Sequence, residues 1–345
     1  MSTATEIGKW LKPGGPVAVV LRQFLQPVDG KDSPIFPPTF AAPKGETPEH
    51  PYNIDGPFAD GSNVCLIDSV PSQANRIEPT FGAITPPIVP DVKIMAGDQV
   101  VSLLDIGHRF ADALVRSSTL GEPVKKAVES HRKGDARPLA KLAPTSFVFG
   151  AWDSRDTHDK LPRIVQSVIR ATNVDVLSRS SQYFPPVSYK DLGLVDSDMP
   201  DEKLSGEGLL AVPAGGAHGG VRVRGEIRRD ATLNLLTVGS INSPDHADAL
   251  RQYVLGLSLV AMLYPQDFNL RQGCLLVMDP DCKPELSLVY HDGRREGLHL
   301  SYDDALAYAQ SAAKAFGVGQ DIAATFSREL LDTALGNRAA KKAKR

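Results

Sequence analysis

Residues 64–78 read VCLIDSVPSQANRIE. The stretch from Val64 to Asp68 is apolar up to its last residue, as a short buried strand is. Ser69 then supplies an N-cap, Pro71 falls in the first helical turn and Pro79 closes the segment, so the strand passes directly into a short helix. Working outward, Val17–Gln26 (VAVVLRQFLQ) reads as a first core strand, and the proline-rich tract 27–57 between the two reads as an irregular surface insertion. A second irregular, finger-like insertion is expected over 80–98.

Downstream the pattern keeps mixing periods. Ser102, Asp105, Arg109, Asp112 and Arg116 recur at spacings of three and four, which predicts a helix over Gln99–Arg116. Phe147–Trp152 predicts a strand, Asp153–Lys160 a polar loop, and Pro162–Thr172 a helix. An acidic, then glycine-rich excursion spans 181–220, and the chain returns to strand character over Val221–Leu236, with Arg222, Arg224 and Arg228 on one face. Ala247–Tyr264 and Tyr302–Phe316 predict helices; Cys274–Met278 and Leu286–Tyr290 predict strands. Strands and helices without a regular βαβ beat give an α+β fold, and the 345 residues suit one elaborated domain.

Composition narrows the function. Hydrophobic residues at 42% and charged residues at 23% describe a soluble globular protein, and the longest apolar run, Tyr253–Tyr264, is too short to cross a bilayer. The N-terminus lacks the apolar core of a secretory signal, and three cysteines form neither a disulfide framework nor a zinc site, so a cytoplasmic location is expected. Net charge is −3, yet the basic tail 338–345 holds five Lys or Arg, leaving a body of 33 basic against 41 acidic residues. Any nucleic-acid site must therefore rest on local charge. The sequence contains no phosphate-binding P-loop, dinucleotide fingerprint, nucleophile elbow or His-Glu-x-x-His pair, and predicts no cofactor, metal or catalytic residue.

Three sets of donors could hold a phosphate. Ser154, Arg155, Lys160, Arg163 and Arg170 lie where a polar loop enters the expected helix, with Arg163, Ser167 and Arg170 on one face. The alternative is that Asp153, Asp156 and Asp159 neutralise these bases as surface ion pairs. Ser72, Gln73, Asn75 and Arg76 offer amide and guanidinium donors on the short helix, or else serve capping and turn chemistry. Arg222 and Arg224 line a hairpin that could lie against a polyanion, and Arg109 sits on the polar stripe of the expected helix.

The strings Asp68–Glu78 (DSVPSQANRIE) and Leu142–Arg155 (LAPTSFVFGAWDSR), with Lys160–Val165 (KLPRIV) and Asn269–Cys274 (NLRQGC), resemble a CRISPR-associated family: the RAMP-superfamily backbone subunit of type I-G (formerly I-U) Cascade, a Cas-seven-type protein. The resemblance implies an RRM-like palm with inserted finger and thumb-like segments. It also implies a noncatalytic scaffold whose copies stack head to tail along CRISPR RNA beside other Cascade subunits, while base pairing reads target DNA. The implied RNA-binding positions are Lys160, Arg163 and Arg170, with Ser72, Gln73, Asn75 and Arg76. The excursion 181–220 would be the thumb, with Phe184 or Met199 at its tip. The rival is a RAMP-type endoribonuclease acting on guide or target RNA, in which Asp68 or Asp153 aligns a phosphodiester and His158 donates a proton.

Overall fold

The computed structural model describes residues 4–42, 44–45 and 50–343. In chain order the strands are β1 (Ala18–Pro27), β2 (Ile54–Asp55), β3 (Val64–Asp68), β4 (Val92–Ala96), β5 (Gln99–Ser102), β6 (Ala151–Trp152), β7 (Lys160–Leu161) and β8 (Val165–Thr172). They continue with β9 (Val174–Tyr183), β10 (Val212–Val223), β11 (Ile227–Asn234), β12 (Asn269–Arg271), β13 (Cys274–Met278), β14 (Glu285–Val289), β15 (Arg295–Gly297) and β16 (Ile322–Thr325). The helices are α1 (Ala4–Ile7), α2 (Val70–Ile77), α3 (Ala113–Arg116), α4 (Gly121–Arg132), α5 (Arg137–Leu142), α6 (Thr145–Phe149), α7 (Asp201–Gly206), α8 (Leu235–Ser240), α9 (Ala247–Leu263), α10 (Tyr302–Phe316) and α11 (Arg328–Ala343).

A nine-stranded sheet, counted among the described residues, runs β12-β13-β1-β11-β8-β3-β2, with β14 and β15 beyond β1. All its pairings are antiparallel. β1 divides its free side between two partners: Ala18–Arg22 faces β14, and Leu25–Pro27 faces β13. The alternation in β11 turns Ile227, Arg229, Ala231 and Leu233 inward. Behind them lies α9, apolar all round as its sequence demands, and packed on α10. There Tyr253 stacks on Phe316 at 4.7 Å and donates its hydroxyl hydrogen to the Ile88 carbonyl at 2.8 Å. No described helix is long and apolar enough to cross a membrane.

Several expectations are met: the first strand, the β3–α2 unit with its Ser69 cap, helices α9 and α10, and strands β13 and β14. Others are corrected. Gln99–Arg116 is not one helix, because a turn at Gly97 and Asp98 folds β5 back on β4, and the expected solvent stripe supplies caps instead. Ser102 Oγ accepts from the Leu104 N–H, and Asp112 Oδ1 accepts from the Leu114 N–H. The segment 80–98 ends in β4, which pairs parallel with β16. Phe147–Trp152 divides into the end of α6 and the two-residue β6.

Pro162–Thr172 is strand β8 rather than a helix. Val165, Ser167, Ile169 and Ala171 are buried in alternation, and the β-branched residues among them pack well on a pleated surface. Ser167 and Arg170 therefore point to opposite faces. The glycines at 215, 216, 219 and 220, in the excursion expected over 181–220, lie within β10, beside its register shifts.

Tract 27–57 is irregular over its described residues but pinned to the body. Ile35 exchanges two backbone bonds with Val221, and the Gly220 N–H donates to the Tyr52 hydroxyl. Residues 43 and 46–49 of that tract lie outside the described residues. The basic tail continues α11 to Ala343, and Lys344 and Arg345 lie outside the described residues.

Candidate functional site

A surface cleft of about 640 Å³ lies between the 107–116 segment and the β6–β7 hairpin. Its cationic lining comes from Arg109, Arg116, Arg155, Lys160 and Arg163, joined by His108, Ser154 and Trp152. Gly150 makes the junction possible. Its φ is 75°, and a side chain there would bring Cβ within 2.7 Å of Arg163 Cγ and 3.0 Å of the Leu161 carbonyl oxygen. The chain can thus turn from α6 into β6, where the register sets Ala151 opposite Leu161 and Trp152 opposite Lys160.

The loop closing this hairpin is organised by Asp153. Its buried carboxylate accepts from the N–H groups of Arg155, Asp156 and Thr157 and from the Thr157 hydroxyl, at 2.8 to 3.1 Å. Burial pushes the Asp153 pKa up, but these donors outweigh it and hold the group below the usual carboxylate value.

The loop's three acids pair with bases other than Arg155, Lys160 and Arg163, one of them with Arg116 of the cleft wall. Asp153 lies 3.7 Å from Arg116, Asp156 lies 3.9 Å from Lys125, and Asp159 lies 3.4 Å from His131 and 3.9 Å from Arg132. Arg155, Lys160 and Arg163 consequently have no carboxylate partner among the described residues. Arg163 donates through Nε to the Phe149 carbonyl at 3.1 Å. Burial first, and then the like charge of Arg109, lower its pKa. The surface-ion-pair alternative thus fails for these three bases.

Arg109 is a different case. It is only 4% exposed, with φ at 54°, and its Nε lies 2.7 Å from Glu78 Oε2. It also donates to the Gly150 carbonyl at 2.9 Å. Burial pushes the Glu78 carboxyl up to about 7, against the pull of Arg109 and the Thr145 hydroxyl. Arg109 forms the floor of the cleft and a brace beneath it.

The α2 donors turn mostly inward. Asp68 is fully buried and accepts from Ser72 Oγ and Gln73 Nε2 at 2.7 Å, Arg76 Nε at 3.2 Å and Arg271 Nη2 at 3.3 Å. Gln73 Oε1 accepts from Ser167, whose hydroxyl in turn accepts from buried Arg229. Arg229 also donates to Gln23 and to the Met262 carbonyl, and burial pushes it down to about 10. Ser72, Gln73 and Arg76 are therefore committed to a core network rather than to a surface ligand. Only Asn75 is exposed, with its amide beside Gly107 at the cleft's edge.

The remaining predicted residues lie apart. Arg170 is exposed on the sheet, opposite Arg228 and Leu66. Arg222 is exposed opposite Asp175, and Arg224 lies 2.9 Å from that carboxylate, beside a separate hollow lined by Lys31 and Asp279. The predicted donors thus fall into four separate groups, of which one is a cleft.

Phe184 is 66% exposed at the end of the β9–β10 ribbon, while Met199 is half-buried. No cluster of three or more potential metal ligands occurs among the described residues. Asp68 and Asp153, the carboxylates of the nuclease reading, already have their acceptor positions filled.

The reading from sequence passed over Arg229 and Trp152. Alternation with Ile227 would have turned Arg229 inward, and Trp152 stood unremarked beside a loop of charges.

An α+β protein with one surface cleft in which three cations, Arg155, Lys160 and Arg163, have no carboxylate partner among the described residues is the class these features define. Residues 19–176, which include the whole cleft, match the model of a family described as CRISPR-associated protein GSU0053. Among solved structures, a chain described as "CRISPR RNA-guided surveillance complex, pre-nicking" is similar at 14% identity and a TM-score of 0.35, over 87% of this chain and 88% of that chain. No curated protein matches.

Proposed function

We propose that this chain is a noncatalytic scaffold subunit of a type I-G CRISPR effector complex, and that the cleft holds the sugar-phosphate backbone of the guide RNA. One observation carries the reading: Arg155, Lys160 and Arg163 gather in a single cleft, and none of the three is paired with a carboxylate among the described residues. Cations left without carboxylates are available to phosphates, and backbone contacts position a strand without reading its sequence. The family match over 19–176 supports the CRISPR assignment.

An RRM-like palm belongs to this reading. It is supported by the spatial order β14-β1-β11-β8, with α9 following β11, as a split βαββαβ unit would have. Copies then stack head to tail along the RNA beside other subunits, and base pairing by the guide recognises target DNA. The β9–β10 ribbon is the thumb.

The test is binding of unrelated single-stranded RNAs to the wild type and to a Lys160→Ala, Arg163→Ala double variant. The reading expects similar affinity for every sequence and a similar loss for each in the variant. Site-specific cleavage of the RNA, abolished by Asp153→Ala, would replace it with the endoribonuclease reading.

A further inference from the structure

We propose that Trp152 is a stacking platform for one unpaired nucleobase, so that the cleft takes a single strand with a base turned out rather than a closed duplex. The inference rests on the reading above and adds a base contact to a site so far described by charge alone.

The chain has two tryptophans. Trp10 is in the core at 7% exposure, whereas Trp152 is 64% exposed. A single exposed aromatic side chain is ordinary on a protein surface, so what distinguishes Trp152 is its surroundings. The cross-strand register sets Lys160 opposite, with Nζ 5.8 Å from the ring centroid, and Arg155 and Arg163 line the same cleft. An aromatic face ringed by cations free of carboxylates suits a ligand with a flat π-surface joined to anions, which is the chemistry of a nucleotide.

The platform is also held in place. Ala151 and Leu161 form a buried cross-strand pair next to it in the hairpin, the Asp153 N–H donates to the Asp159 carbonyl at 2.9 Å on the other side, and Asp153 fastens the loop beyond. Stacking on such a ring needs an exposed base face, which a paired helix withholds.

The experiment uses the full chain and the intrinsic fluorescence of Trp152, read as the difference between wild type and Trp152→Phe so that buried Trp10 cancels. Single-stranded oligoadenylate, the same RNA in a duplex, an abasic strand of equal length and inorganic polyphosphate are titrated in turn. The expected result is quenching of Trp152 by oligoadenylate alone. Trp152→Ala should lose roughly tenfold in affinity for that strand while keeping its affinity for polyphosphate, and Trp152→Phe should recover part of the loss.

Equal oligoadenylate affinity in wild type and Trp152→Ala with unchanged emission, while neutralising Arg155, Lys160 and Arg163 still weakens binding, overturns the stacking role and leaves the phosphate cleft standing. Quenching as strong with the duplex overturns the single-strand requirement. No binding of any of the four ligands overturns both readings.

Discussion

Replacing Arg155, Lys160 and Arg163 together by glutamine removes the three cleft cations that have no carboxylate partner, and the expected loss can be worked from that count. On a single strand, each neutralised phosphate contributes about 0.7 to the slope of log affinity against log salt. Three lost contacts lower the slope by about 2, and extrapolation from a molar reference gives roughly 50-fold weaker binding near ~0.15 M salt. Fluorescence anisotropy of a labelled single-stranded RNA over a salt series measures both quantities. Arg224→Gln is the control, because that guanidinium already faces Asp175 beside a different hollow and should leave the slope unchanged. A thermal melt separates binding from folding; exposed Arg155 and Lys160 should each shift stability by no more than about 0.5 kcal/mol. An unchanged slope in the triple variant, or an equal fall in the control, would refute the reasoning.

Other perturbations test the scaffold beneath the cleft. Asp68→Ala strands Arg76 and Arg271 without their shared buried carboxylate and should cost about 3–5 kcal/mol in chemical denaturation. Gly256→Val drives a side chain of α9 into α10, where even a Cβ would lie 2.8 Å from Ala309 Cα, and should cost about 1–3 kcal/mol or more by the same measurement. Glu78 gives a pH signature. With its carboxyl raised from 4.5 to about 7, the folded state holds more protons than the unfolded state across that interval. The stability it contributes is therefore fully present below about pH 4.5 and lost as pH rises through about 7. Glu78→Gln should flatten that part of the profile, measured as denaturation midpoint against pH.

What the sequence disclosed depended on how strongly local chemistry agreed with tertiary packing. The β3–α2 unit was legible because an apolar strand, a serine cap and a first-turn proline all pointed the same way. Helix α9 was legible because an apolar run of that length has few other places to go. Gln99–Arg116 was misread because Ser102 and Asp112 recur at helical spacing yet act as caps, and spacing alone does not separate a solvent stripe from a series of turns.

Strand β8 was misread for a related reason. Arg163, Ser167 and Arg170 fit a helical face, but the β-branched residues between them favoured the sheet, with Ser167 drawn to Gln73 and Arg229 in the interior.

The same competition governed the site. The loop Asp153–Lys160 and the bases around it were visible as a charged cluster, but which acids meet which bases is decided by α3 and α4. Those helices carry Arg116, Lys125, His131 and Arg132 to the back of the loop. Long-range pairing of this kind leaves no mark in local spacing. Ser72, Gln73 and Arg76 lie close to Asp68 in sequence, so their inward network had a local signal in the buried carboxylate just ahead of the helix.

Photo-cross-linking of a single-stranded RNA to the full chain, followed by identification of the modified peptides, addresses the cleft most directly. Cross-links should concentrate in peptides covering 107–116 and 150–163, with Trp152 among the modified residues and the same peptides recovered for unrelated RNA sequences. Cross-links confined to the exposed sheet around Arg170 or to the β9–β10 ribbon, with none in the cleft, would contradict the account.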